Sequence, residues 1–257
     1  MKYTILLMTA WGVFFPSMTF AHSMWIVLQP AANSKKMVSV WYADRLEPGR
    51  SSMLDRLSKL KIVEAAGGTD RRPVEFVKVV TDDLGSLIGT TSADISHVEA
   101  ICDIGVRPSQ NRPQARQGAG ESNENRSPEL QTADMDSDNY RQIYYAKYIQ
   151  LNSKAGLNVK SNPEMKLDID PGWDGENLTI AVYHNGIPEP ACTVSITGPD
   201  GSRHRLETDE TGLVLLEGAL PGRYMLRARI DLNEPGELNG KPYLKTTQDA
   251  SLVLDLQ

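Results

Sequence analysis

The sequence predicts a mainly β protein: two β-sandwich domains, one short helix and a long disordered insertion. Three observations predict it. Apolar runs of strand length recur along the chain, several alternating in polarity with a period of two. In the C-terminal half, turn signals separate these runs at about 8–12 residue spacing, the rhythm of a sandwich. Between them, residues 107 to 139 are rich in Pro, Gly, Ser, Asn, Gln and both charges, with few apolar side chains. Such a composition buries too little surface to offset its ordering entropy.

In chain order, "MWIVLQ" (24–29), "MVSVWY" (37–42) and "EFVKVV" (75–80) read as strands. In "SSMLDRLSKLKI", Leu54, Leu57 and Leu60 recur every third residue behind Ser51 and Ser52, which predicts one short amphipathic helix with a serine cap. In "HVEAICDIGV", Val98, Ala100, Cys102 and Ile104 share one face of a strand, leaving His97 on the other, where we expect solvent. "QIYYAKYIQL" (142–151) resumes after the insertion. Because strands flank it on both sides, the insertion is expected inside a domain. Residues 153 to 165 form a turn-rich connector. Asp168, Asp170, Asp174 and Glu176 then read as a solvated acidic entry to the second domain. "NLTIAVYHNGIP", "ACTVSITGPDGSRHRLETD", "TDETGLVLLEGALPGRYMLRARI" and "ASLVLDL" supply its strands, with turns at Asn185-Gly186, Pro199-Asp200-Gly201, Asp209 to Gly212 and Pro221-Gly222.

The first 21 residues read as a secretory signal. Lys2 precedes an apolar run of roughly 13 residues, Tyr3 to Phe15, short of the ~20 needed to span a bilayer. Thr19 and Ala21 are small residues where a signal peptidase needs them. The expected organisation is a signal at 1–21, an N-terminal sandwich at 22–157 carrying the 107–139 insertion, and a C-terminal sandwich at 165–257. The expected location is periplasmic or secreted, with no membrane span after cleavage. A net charge of −6 and the lack of a long basic stretch argue against a nucleic-acid partner. Cys102 and Cys192 each share a face with apolar neighbours in different domains, so they read as buried small hydrophobes rather than a disulfide.

The C-terminal half resembles the transthyretin-like, or carboxypeptidase-regulatory-like, sandwich through "NGIP", "GPDG", "TDETG" and "LPGRY". The whole chain after the signal resembles the secreted DUF4198 family, whose members are often labelled nickel-uptake-transporter proteins. The matching stretches are "AHSMWIV", "LEPG" (46–49), "CDIGV" (102–106), "YYAK" (144–147) and "EPGELNGKPY" (234–243). The resemblance implies a metal-ion context, with a membrane transporter or other envelope protein as partner. Where the family pattern would place Arg-His-Tyr before the last strand, this chain has Thr247-Gln248-Asp249.

His22 is the first candidate residue. If cleavage makes it the amino terminus, its α-amino group and imidazole form a chelate suited to Ni or Cu. A free α-amino group ordinarily titrates near 7.7–8, so a metal competes easily with its proton near neutrality. His97 is the preferred second ligand because it falls in the same domain. His184, His204 and Trp25 read as a turn residue, a strand residue and a core anchor. "TDETG" reads as a hairpin turn rather than a calcium loop. No local signature of a hydrolase, phosphate loop or dinucleotide site is present. The sequence therefore suggests a non-enzymatic metal-binding or uptake accessory protein. The alternative is a secreted protein- or glycan-binding module without a metal.

Overall fold

The computed structural model describes residues 22–31, 35–66, 70–92, 94–108, 139–151, 162–174 and 176–257. The expected signal and residues 109–138 of the expected insertion lie outside the described residues.

The described residues form strands and one 3-10 helix. The first half contributes β1 (Ser23–Ala31), β2 (Lys35–Ala43), β3 (Gly49–Arg50), the helix (Ser51–Leu57), β4 (Lys61–Ala66), β5 (Asp70–Pro73), β6 (Phe76–Thr81), β7 (Leu84–Ser92), β8 (His97–Arg107) and β9 (Tyr140–Leu151). The second half adds β10 (Leu167–Asp174), β11 (Asn177–His184), β12 (Ile187–Pro188), β13 (Thr193–Thr197), β14 (Arg203–Glu207) and β15 (Leu213–Leu216). It closes with β16 (Gly222–Leu232), β17 (Gly236–Leu238), β18 (Lys241–Tyr243) and β19 (Lys245–Leu256).

The expected helix is 3-10 rather than α-helical, and Arg50 precedes it with no side-chain cap. Its leucine spacing explains the difference, because residues three apart eclipse each other at three residues per turn. Leu54 and Leu57 are buried from the helix and Leu60 just beyond it.

Three layers result. The central sheet has eight strands in the order β14-β13-β16-β19-β9-β8-β4-β5. Its pairs are antiparallel except β19 with β9, which run parallel over their whole length from Lys245↔Tyr140 to Leu256↔Leu151. A five-stranded sheet (β1-β2-β7, with β3 and β6 also on β7) covers one face, and a four-stranded sheet (β10-β11, with β12 and β15 on β11) covers the other. Two cores follow from the strand period of two. In the first, Met24, Ile26, Val38 and Val40 meet Val98, Cys102, Tyr144 and Tyr148. In the second, Leu167, Ile169, Ile180 and Val182 meet Tyr145, Ile149, Leu226 and Leu252. Consecutive residues Tyr144 and Tyr145 thus serve opposite cores. The two sandwiches share their middle layer, and β9 of the first half is hydrogen-bonded to β19 at the chain's end.

Strands β8 and β9 flank the expected insertion and pair as neighbours, Arg107 opposite Tyr140, so the insertion connects two strands of one sheet. Cys102 and Cys192 are free and buried in different cores, as the face argument predicts. No helix among the described residues is long and apolar enough to cross a membrane.

Candidate functional site

His22 precedes β1 and is held in three ways. Its ring stacks on Tyr42 with centroids 5.7 Å apart. Its Nδ1 lies 3.3 Å from Oδ1 of Asp44, both side chains nearly half exposed. Its carbonyl accepts a hydrogen bond from the Tyr144 hydroxyl at 3.3 Å. Tyr42 lies near the end of β2 and Asp44 directly follows it; β1 and β2 pair in register from Ser23↔Ala43 to Ala31↔Lys35, which returns the end of β2 to the start of β1. Trp25 is the core anchor the sequence suggests, 4 % exposed and donating its indole N–H to the Ala43 carbonyl at 3.0 Å.

Behind His22 runs a buried polar chain. The Tyr144 hydroxyl meets that of Tyr42 at 2.9 Å and accepts from the Gln142 amide at 2.5 Å. Gln142 also donates to Asp249 at 3.3 Å, and Arg227 grips Asp249 through Nη2 at 2.5 Å and Nε at 3.2 Å. Burial, with the Asp249 and Tyr42 oxygens beside it, pushes the Tyr144 phenol well above its ordinary range, so it stays a neutral donor. Asp249 is thus an internal counter-ion three hydrogen bonds behind His22.

His97 lies elsewhere. It shares its side of β8 with Glu99, opposite the face of Cys102, and Cys102 is opposite Tyr144 in β9 while His97 is opposite Ile149. Five strand positions make about 17 Å, and the sheet itself intervenes. His22 and His97 are therefore not brought together. Nor is His97 exposed: it is 1 % accessible, its Nε2 lying 3.2 Å from Glu99 Oε1. Period-two reasoning places it on the second face correctly. That face is covered too, because both sides of the central sheet carry a sheet.

The neighbourhood of His97 is a second polar cluster, which sequence reading missed. Lys147 sits opposite Glu99 in the β8–β9 register. Its ammonium lies 2.5 Å from Asp168 Oδ1, contacts Asp170, and donates to the Ile169 carbonyl at 3.3 Å. Lys147 and Asp168 are each 2 % exposed and Glu99 is fully buried. The acidic stretch read as solvated is therefore, at Asp168, part of the interior. Burial pulls the Lys147 ammonium down, but the Asp168 and Asp170 carboxylates outweigh it and hold it above its usual range. Burial raises the Asp170 carboxyl, with Lys147 opposing. The available signal was Lys147 itself, a lone charge inside the apolar run "QIYYAKYIQL".

Of the remaining histidines, His184 is partly buried beside the Asn185 amide and 3.6 Å from Glu189, and His204 is exposed on β14. Among the described residues, no group of three or more His, Cys, Asp and Glu side chains is arranged to hold a metal ion. His22 and Asp44 supply two donors.

No protein-family model matches the sequence. No curated protein matches it either. Among solved structures, the full ectodomain of mouse nectin-like molecule 4, spanning Ig1–Ig3, is similar at 12 % identity and a TM-score of 0.16. The match covers 91 % of this chain and 64 % of that one, so the chain spans about two thirds of that ectodomain's length. A likeness at that score carries no argument about function.

Proposed function

We propose that the protein is an exported metal-binding protein, an accessory in the uptake or handling of an ion such as Ni²⁺ or Cu²⁺, with His22 as its anchor. The carrying observation is the 3.3 Å approach of His22 Nδ1 to Asp44. Two donors bound to one ion at about 2.0–2.2 Å lie roughly 3–3.4 Å apart, so the pair already stands at ligand spacing. Nδ1 is also the ring nitrogen that closes a six-membered chelate with the α-amino group of the same residue. If processing frees that amine, three donors converge: amine, imidazole and carboxylate. The stack on Tyr42 and the bond from Tyr144 fix the residue beforehand, which lowers the entropy cost of binding. The sequence resemblance to secreted nickel-uptake proteins supports the same reading. The ion is cargo here, the protein acts by binding, and a membrane transporter or other envelope protein is the natural recipient.

The test compares two chains by titration with Cu²⁺ and Ni²⁺, one starting at His22 and one carrying a single extra residue before it. The first should bind one ion per chain. The second should bind far more weakly, since every side chain remains but the amine has moved. Equal binding by both would refute the amino-terminal chelate.

A second reading, a protein- or glycan-binding module, rests on one feature. Strand β6 and its neighbour on β7 expose Val77, Val80 and Leu84, from 47 to 65 % accessible. A protein with no metal affinity, whose binding to an envelope partner falls when Val77 becomes Asp, would favour this reading.

A further inference from the structure

We propose that Lys147 and Asp168 are joined by an intramolecular isopeptide bond, formed autocatalytically, which ties β9 to β10. This assigns the buried cluster a covalent modification and stands independently of the metal site.

The ingredients are an amine, a carboxyl group, proton-carrying neighbours and the exclusion of water. Lys147 Nζ stands 2.5 Å from Asp168 Oδ1, and both side chains are 2 % exposed. That oxygen also accepts the main-chain N–H of Ile169 at 2.8 Å. The N–H polarises the carboxyl and is in place to stabilise the oxyanion that nucleophilic attack creates. Lys147 is fixed by the Ile169 carbonyl and by two carboxylates of the same strand. The reaction is therefore unimolecular, with its orientation already set. Glu99, fully buried and directly opposite Lys147 in the register, forms the acidic wall on the other side, with His97 against it.

The protons also suit condensation. Three carboxyl groups, Glu99, Asp168 and Asp170, gather around one lysine and one histidine. Asp168 and Asp170 hold the lysine in its charged form, so attack begins only when the ammonium passes one proton to a carboxylate it touches. Asp170 touches the ammonium and its side chain is 37 % exposed, so it can take that proton and exchange it with solvent. It is the proton carrier we assign. The step runs from –NH₃⁺ and –COO⁻ to –NH–CO– and water. The Nζ–Cγ bond forms and one Cγ–O bond of Asp168 breaks. The departing oxygen leaves with two of the ammonium's three protons, and the third stays on the amide. No oxidant, metal or cofactor enters the balance. The product would remove two buried charges at once and staple the edge strand of the outer sheet to the shared sheet, in a chain whose two cysteines are free.

The experiment is intact-mass and peptide mass spectrometry on the full chain, unfolded before measurement. The expected result is a chain lighter than its sequence by one water, with a branched proteolytic peptide joining Lys147 to Asp168. Recovery of both residues only in linear peptides would overturn the proposal. In Lys147→Arg and Asp168→Ala the branch must vanish and the mass deficit with it; a deficit that persists in either would place the linkage elsewhere and overturn the assignment. Asp168→Asn preserves the shape of the side chain and should lose one ammonia instead of one water. Asp170→Asn should slow linkage about a hundredfold, the ordinary contribution of a positioned proton carrier; linkage at an unchanged rate would overturn its role.

Discussion

The hydroxyls of Tyr42 and Tyr144 meet at 2.9 Å, with their rings edge to face and centroids 5.4 Å apart. This contact joins the first sheet to the central one directly beneath His22. Tyr144 can donate to the His22 carbonyl while accepting from Tyr42 and Gln142, which satisfies one donor and two acceptor positions of a single hydroxyl. Tyr144→Phe should therefore cost about 1–3 kcal/mol of stability, because buried partners lose their bond. Urea unfolding of the variant would measure it. The same variant should also bind metal more weakly, since His22 loses one of its three restraints.

Asp249 is the counter-ion of the same chain of contacts. Its side chain is 2 % exposed and that of Arg227 is 15 % exposed. Asp249→Ala would leave a largely buried guanidinium without this carboxylate, which typically costs about 3–5 kcal/mol. Chemical denaturation should show a loss of that order, whereas the exposed pair Lys78–Asp55, broken by Asp55→Ala, should cost less than about 1 kcal/mol.

The cysteines give a labelling prediction. Burial pushes the Cys102 thiol up to about 12, with nearby Asp103 adding to the effect. Burial likewise raises the Cys192 thiol to about 11, aided by Glu189. The thiolate is the reactive form, so at pH 8 neither should react with iodoacetamide in the folded protein. Both should react once the chain is unfolded, giving two labels per chain. Finding no labels after unfolding would mean a disulfide, which two separate cores forbid.

Asp209 closes the turn between β14 and β15. Its Oδ1 accepts the Thr211 N–H at 2.8 Å, the Thr211 hydroxyl at 2.7 Å and the Leu213 N–H at 2.9 Å. Hydrogen bonds from Leu213 and Thr211 lower its carboxyl below the usual aspartate range. A depressed folded-state value contributes stability that is present above the unfolded value, near 4, and is lost as pH falls through the folded one. Asp209→Ala should thus differ from wild type at neutral pH and converge on it in acid. Carboxyl chemical shifts followed by NMR through the acid range would check the titration directly.

The strands were legible in the sequence because alternation reports one covered face at a time. The turns were legible because Asn185-Gly186 and Asp209 to Gly212 carry residues suited to left-handed backbone, and Asn185, Gly186 and Gly212 do have positive φ. What the pattern could not carry is the parallel pairing of β9 with β19, since nothing local marks partners about a hundred residues apart. The consequences of that pairing were hidden with it. A strand covered on both faces turns His97 inward, and β10 laid over the same sheet brings Asp168 onto Lys147. At His22 the residue itself was legible, but its partners were not: Tyr42 and Asp44 depend on the β1–β2 register, and Tyr144 on the stacking of two sheets.

The chelate at His22 is tested by electron paramagnetic resonance of Cu²⁺ bound to the chain that starts at His22, compared with Asp44→Asn and with the chain extended by one residue. The parent should show a single copper site with two nitrogen donors and one carboxylate oxygen. Asp44→Asn should alter the oxygen contribution, and the extended chain should lose the site. A spectrum identical in all three would contradict the chelate, because a copper ion indifferent to both the terminal amine and Asp44 is not bound where His22 and Asp44 meet.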